Sequence, residues 1–219
     1  AAYEFDRMKR RITVHLNQRS EMLSGISHDL RTPLTRLKLQ LALLEQKDLA
    51  KKMGDDIEEM DRMLSEYLEF SRNQKSEDTE IIEINNLVTD VVKKYNNKKI
   101  ETNFDGNIKI HLRQNTFRRC LGNLIDNGLS YGEKVKISTK KTIKDLVIFV
   151  DDNGPGIPEK EYAKVIKPFY RIDKSRGQNK SGVGLGLSIA NDIIHSHGGN
   201  ISLEKSPLSG LRVKISLPL

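Results

Sequence analysis

Through the first third of the chain, apolar residues recur at intervals of three, four or seven: Met8, Ile12, Leu16, Leu23, Ile26, Leu30, Leu37, Leu41 and Leu44. This spacing returns each side chain to one stripe of a helix, and a rod of that extent would be about 65 Å long. A polar break follows at Glu45-Gln46-Lys47-Asp48. Met53, Ile57, Met60, Leu64, Tyr67 and Phe70 then mark a second helix. A two-helix hairpin has one apolar face and no third layer to cover it. A second copy of the hairpin, giving a four-helix bundle, would cover that face; docking onto the remainder of the same chain is the alternative.

After the polar, aperiodic stretch Asn73–Thr79 the texture changes. Short β-rich runs at Ile81–Ile84, Ile108–Leu112, Val135–Thr139, Leu146–Val150, Ile201–Leu203 and Val213–Leu217 alternate with helical stretches at Leu87–Tyr95, Thr116–Leu129 and Leu185–His195. Short connections between several strands predict one mixed sheet with helices against it. The expected class is therefore α+β: a helical hairpin, then an α/β sandwich.

Composition narrows the chemistry. Hydrophobic residues are 37% and charged residues 31%, a globular balance. Cys120 is the only cysteine, so no internal disulfide and no CxxC zinc site can form. The longest apolar runs, such as Leu146–Val150, fall far short of the ~20 residues of a spanning helix. The basic start (Arg7, Lys9, Arg10, Arg11) has no apolar core after it, so it is not a signal peptide. The chain opens Ala-Ala rather than Met, as an excised fragment would. The net charge of +7 divides unevenly: residues 1–75 carry 14 Lys+Arg and 13 Asp+Glu, leaving 23 and 17 for residues 76–219. An anionic ligand is thus expected in the second part. Nucleic acid is not, because there is no Trp and no basic patch interleaved with aromatics.

Two groups of residues carry candidate chemistry. The first surrounds His28 in Ser27-His28-Asp29-Leu30-Arg31-Thr32-Pro33-Leu34. His28 lies two residues from both Ile26 and Leu30, about 200° round the helix, so the seam turns it outward. Asp29 can hydrogen-bond one ring nitrogen and leave the other nucleophilic. Thr32, one turn on, shares the face of His28. Pro33 either kinks a continuous helix beside the histidine or marks where a separate helix starts.

The second group comprises three boxes. Asn123-Leu124-Ile125-Asp126-Asn127 puts two amides on one helix face, and amide oxygens suit magnesium. Asp152-Asn153-Gly154-Pro155-Gly156 follows an apolar strand; its glycines permit a sharp turn and its carboxylate can accept from an amine. Gly182-Val183-Gly184-Leu185-Gly186-Leu187 runs into a helix, whose free amides favour phosphate. The glycine spacing is GxGxG rather than the GxGxxG of dinucleotide folds, and no GxxxxGK[ST] phosphate loop occurs.

In this order, with Lys167-Pro168-Phe169-Tyr170-Arg171 between the glycine boxes, the chain resembles the cytoplasmic core of sensor histidine kinases. The resemblance is greatest to the EnvZ-like osmosensor type, through Gly25–Arg36, and it extends over essentially the whole chain. It implies a HAMP exit helix at 1–19, a dimerising phosphotransfer hairpin at 20–75 and a Bergerat-type ATP-binding domain at 80–219. It implies ATP and magnesium as ligands, with Asn127 and Asn123 at the metal and Asp152 on the adenine amino group. Gly154 and Gly156 would shape the pocket, while Gly182, Gly184, Gly186 and Leu187 would meet the phosphates. Tyr131 would line the nucleotide, Lys167, Arg171 and Lys134 would lie near it, and Phe169 would anchor a lid over Ile172–Ser181. The implied activity is autophosphorylation of His28, transfer to an aspartate of an OmpR-like response regulator, and removal of that phosphoryl group with help from Thr32. The implied setting is the cytoplasmic portion of a bacterial inner-membrane protein acting as a homodimer. Two positions depart from the family pattern: Val183 where Thr is common, and Gly128 where Ala usually follows the asparagine. A gyrase-type ATPase of the same fold would give His28 and Thr32 no task, and a nucleotide-sensing scaffold would not need His28, Asn127 and Asp152 intact.

Overall fold

A computed structural model describes residues 3–4, 7–8, 11, 30–43, 49–51, 53–58, 60–61, 64, 77–95, 99–172 and 184–219. The chain divides into two compact units, Ala1–Ser76 and Glu77–Leu219.

In the first unit, residues 30–42 are one helical run, and every described residue from 49 to 64 is helical. The first run passes through Pro33 without a break. The polar break at 45–48 and residues 12–29, where a kink would show, lie outside the described residues. Lys38 reaches Asp61 at 3.2 Å, with Arg31 at 3.9 Å on its other oxygen, which ties the two helical stretches together. Leu41 and Ile57 are buried. Leu30, Leu37, Met53 and Met60, on the same predicted seams, stay exposed within the single chain.

The second unit is a two-layer sandwich. Its strands are β1 (Glu80–Glu83), β2 (Lys99–Phe104), β3 (Lys109–Leu112), β4 (Lys134–Lys141), β5 (Asp145–Asp152), β6 (Asn200–Lys205) and β7 (Leu211–Pro218). Its helices are α1 (Ile84–Lys93), α2 (Gln114–Tyr131), the single turn α3 (Tyr162–Val165) and α4 (Gly186–Ser196). Five strands form a mixed sheet in the order β2-β4-β5-β7-β6, with β2 parallel to β4 and the other pairs antiparallel. Strand alternation builds the core. Val135, Ile137, Leu146, Ile148, Val150, Val213, Ile215 and Leu217 are buried against the helices, which contribute Leu87, Val88, Phe117, Leu121, Leu124, Ile125, Ile189, Ala190 and Ile194.

Two sequence expectations need correction, and one strand has no counterpart among them. The strands do not form one sheet: β1 and β3 make a separate antiparallel pair. Ile84 does not end a strand but opens α1, its N–H bonded to Ile108 O at 3.0 Å. Strand β2 gives no clear pattern in Lys-Ile-Glu-Thr-Asn-Phe. It is an edge strand with no fully buried side chain, so its parallel ladder to β4 holds it rather than its own apolar alternation.

Candidate functional site

The C-terminal half of α2 is the wall to which the other boxes are fitted. A methyl group on Gly186, at the start of α4, would lie 3.6 Å from Asn123 O. At Gly128 a methyl would come within 2.8 Å of Val135 Cγ2 and 3.3 Å of Asp152 Cβ. Gly128 therefore lets α2 lie close against the end of β5. At the helix terminus, Gly154 passes so near Tyr131 that a methyl would fall 3.0 Å from the Tyr131 carbonyl oxygen. Asn123, Asn127, Tyr131, Asp152, Gly154 and Gly186 are thus gathered about the last two turns of one helix.

Asp152 is the buried carboxylate of this group, 6% exposed. Its Oδ1 accepts from Gly154 N at 2.8 Å and from Leu211 N at 3.1 Å. Both bonds use one oxygen, so the carboxylate is held by one edge and presents Oδ2 on the other. Burial raises the pKa of Asp152 above the ordinary carboxylate value, the two backbone N–H groups oppose that rise, and neighbouring Asp151 adds to it. Asp151 itself is ion-paired: Arg212 donates to both its oxygens, at 2.7 and 2.9 Å, and lies over the Phe149 ring.

The loop after β5 is fixed by residues that the sequence reading did not single out. Asn153 Oδ1 accepts from Glu133 N and Lys134 N, each at 2.8 Å, which fastens the Asp152 loop to the end of α2. Gly210 faces the same carboxylate: any Cβ there would run into Asp152 Oδ1, Asp152 O and Gly154 N. In sequence, Ser209-Gly210 reads only as the β6–β7 turn, because its contact with Asp152 spans 58 residues. Gly156 takes φ 72°, a conformation that costs glycine little.

The segment before the glycine loop is anchored at its base. Phe169 N donates to Gly184 O at 3.1 Å, and Tyr170 Oη donates to Glu161 Oε2 at 2.6 Å. Phe169 has a left-handed φ of 63° and Gly184 one of 80°, and a side chain on Gly184 would meet the backbone of Phe169 and Tyr170. Leu187 is buried in the first turn of α4, Lys167 is exposed and Arg171 is half-buried. Lys134 does not point to the site; its ammonium pairs with Glu101 at 2.7 Å across β2 and β4. Thr32 is exposed on the first unit's helix. His28, Asp29, Gly182, Val183 and the lid positions 173–183 lie outside the described residues.

Among the described residues no cluster of three His, Cys, Asp or Glu side chains could hold a metal ion. A cation here would be met by amide oxygens, phosphate and water, a set that magnesium accepts. Asn123 Nδ2 is buried with no hydrogen-bond partner among the described residues, a donor suited to a phosphate oxygen or an ordered water. The residues present therefore fit a magnesium–phosphate group.

Two family models match. Residues 18–76 match the His Kinase A (phospho-acceptor) domain, and residues 112–219 match the histidine kinase-, DNA gyrase B- and HSP90-like ATPase. Between them they cover most of the chain in the order phospho-acceptor, then ATPase. The chain belongs to the sensor histidine kinases. Similar proteins include the sensor histidine kinase GtrS of Pseudomonas aeruginosa, 37% identical over 99% of this chain and 46% of its own length. Another is the sensor histidine kinase CpxA of Escherichia coli, 34% identical over 100% of this chain and 51% of its own. The chain spans about half the length of the curated relatives it matches. Among solved structures, the ATP binding domain of PrrB from Mycobacterium tuberculosis superposes with a TM-score of 0.53 at 27% identity, covering 64% of this chain and 97% of that one. No helix among the described residues is long and apolar enough to cross a membrane.

Proposed function

We propose that this chain binds ATP with magnesium in its second unit, phosphorylates its own His28, and passes the phosphoryl group to an aspartate of an OmpR-like response regulator. The observation that carries the reading is Asp152: a buried carboxylate fixed through Oδ1 beside the asparagine helix, with Oδ2 left to accept from a ligand. An adenine amino group is the donor such an oxygen selects. The solved ATP binding domain of PrrB has the same fold.

Asn127, with Asn123, would hold magnesium on the phosphates and so supply charge neutralisation. Gly182, Gly184, Gly186 and Leu187 would meet the phosphates, where backbone N–H groups at the start of α4 favour an anion. Tyr131, Gly154 and Gly156 bound the base, Lys167 and Arg171 flank the entrance, and Phe169 is the foot of the lid. His28 is the nucleophile. Asp29 accepts a hydrogen bond from one ring nitrogen, which leaves the other to attack in line as ADP departs. The domain divisions proposed are an exit helix at 1–19, the phosphotransfer hairpin at 20–75 and the catalytic domain at 80–219. The hairpins pair into a dimer, and the chain is the cytoplasmic part of a bacterial inner-membrane receptor. Thr32, exposed one turn beyond His28, positions the water that hydrolyses the regulator's phosphoaspartate, making the enzyme bifunctional.

Competition binding with ATP and GTP tests the nucleotide assignment. Asp152→Asn should weaken ATP at least ~10-fold, the scale of a lost hydrogen bond to a charged group, and leave GTP almost unchanged. Equal losses for both nucleotides would contradict the adenine contact.

A further inference from the structure

The N-terminus of α2 has no cap of its own. Arg113, at the cap position, is extended and makes no side-chain cap bond, and the first turn holds no acidic residue. The cap comes instead from 38 residues earlier in the chain. Glu77 Oε1 accepts from Asn115 N at 2.5 Å, and Oε2 accepts from Thr116 N at 2.9 Å and from Thr116 Oγ1 at 2.7 Å. A carboxylate here answers two N–H groups that the helix leaves unmatched and lies at the positive end of the helix dipole. Desolvation raises the Glu77 pKa, but these hydrogen bonds and Arg113 hold it below the ordinary value.

The same end of α2 is joined to the far end of α4. Arg113 N donates to His197 Nε2 at 3.1 Å, and Arg113 Nη2 donates to Ser196 O at 2.9 Å. His197 Nδ1 lies 2.8 Å from Ile193 O, and Phe117 meets its ring edge-on at 6.2 Å. One cluster therefore fixes the two helices that carry the asparagine box and the last glycine of the loop. Glu77 is also the first residue of the second unit.

We propose that Glu77 is a positioning residue for phosphoryl transfer: by capping α2 where the chain enters the second unit, it fixes the axial placement of Asn123 and Asn127 against Gly186. This deepens the nucleotide-binding reading above and rests on it. Without the carboxylate the first turn of α2 opens and Arg113 loses its hold on Ser196 and His197. The asparagine amides then no longer stand at one height relative to the glycine loop, and only a fraction of molecules is competent to bind.

The test uses the full chain, with magnesium-ATP as the probe, well below the melting temperature. Glu77→Ala, Glu77→Gln and the neighbouring exposed control Asp78→Ala are compared with the parent. Glu77→Ala should raise the ATP dissociation constant about threefold to tenfold, the scale of a lost cap, and should speed amide exchange at Asn115 and Thr116. Glu77→Gln, which keeps one acceptor, should fall between it and the parent, and Asp78→Ala should match the parent. A Glu77→Ala protein with a lowered melting temperature but an unchanged ATP dissociation constant would overturn the positioning role. Should that variant fail to fold, an unchanged constant for Glu77→Gln together with parent-like exchange at Asn115 does the same. A parent that binds no ATP overturns the nucleotide reading itself, a separate outcome.

Discussion

At the scale of single residues, the proposed adenine contact of Asp152 is set against stability. Its raised pKa means that the fold favours the neutral acid. That stabilisation is complete below the ordinary carboxylate range and is lost as pH rises through the raised value, so at neutral pH the ionised side chain destabilises the protein. Asp152→Asn keeps an acceptor for Gly154 N and Leu211 N without the buried charge. It should therefore raise the melting temperature at pH 7 while losing ATP, a trade common at binding sites; a fall in melting temperature would argue against this electrostatic account. Gly210→Ala should abolish ATP binding and cost about 1–3 kcal/mol, because its methyl has no place beside the Asp152 carboxylate and the Gly154 amide. Thr32→Ala should retain autophosphorylation and lose most regulator dephosphorylation, read as decay of a phosphorylated regulator with adenine nucleotide present. Decay as fast as with the parent would remove the phosphatase from the proposal.

Among the elements, legibility follows distance along the chain. Helices α2 and α4 and strands β4, β5 and β7 are visible in sequence because local periodicity and burial coincide there. The asparagine and glycine boxes stand out because their spacing encodes chemistry within a few residues. Strand β2 is hidden, since an edge strand of Lys, Glu, Thr and Asn depends on its neighbour. Gly210, Asn153 and Glu77 are hidden for the same reason: each acts on a partner through tertiary contact, 19 or more residues away for the last two. Gly128, a departure from the family pattern, acquires a role only when α2 is seen against Val135 and Asp152. The α2–α4 clamp also carries a pH signature. Burial, the first cause, and Arg113 lower the pKa of His197, and its Nε2 must be unprotonated to accept from Arg113 N. The clamp is therefore complete above the ordinary histidine pKa and is lost as pH falls through the depressed value. Melting temperature should fall between pH about 7.5 and about 5 by less in His197→Gln than in the parent; an equal fall would place the titration elsewhere.

For the whole molecule, the first unit leaves Leu30, Leu37, Met53 and Met60 exposed on the seams that bury Leu41 and Ile57. A second copy of the hairpin is the partner whose apolar stripe matches. Sedimentation should give twice the 25.0 kDa chain mass, and Leu37→Glu should shift the protein toward monomer. A parent that sediments as a monomer would reject the bundle. In the proposed reaction the second unit holds the nucleotide and the first supplies the histidine. The most direct measurement is incubation of the full chain with γ-labelled ATP and magnesium, beside the His28→Gln variant. The account predicts an alkali-stable, acid-labile label on the parent and none on the variant, with nucleotide binding equal in both. Label that persists on His28→Gln would contradict it.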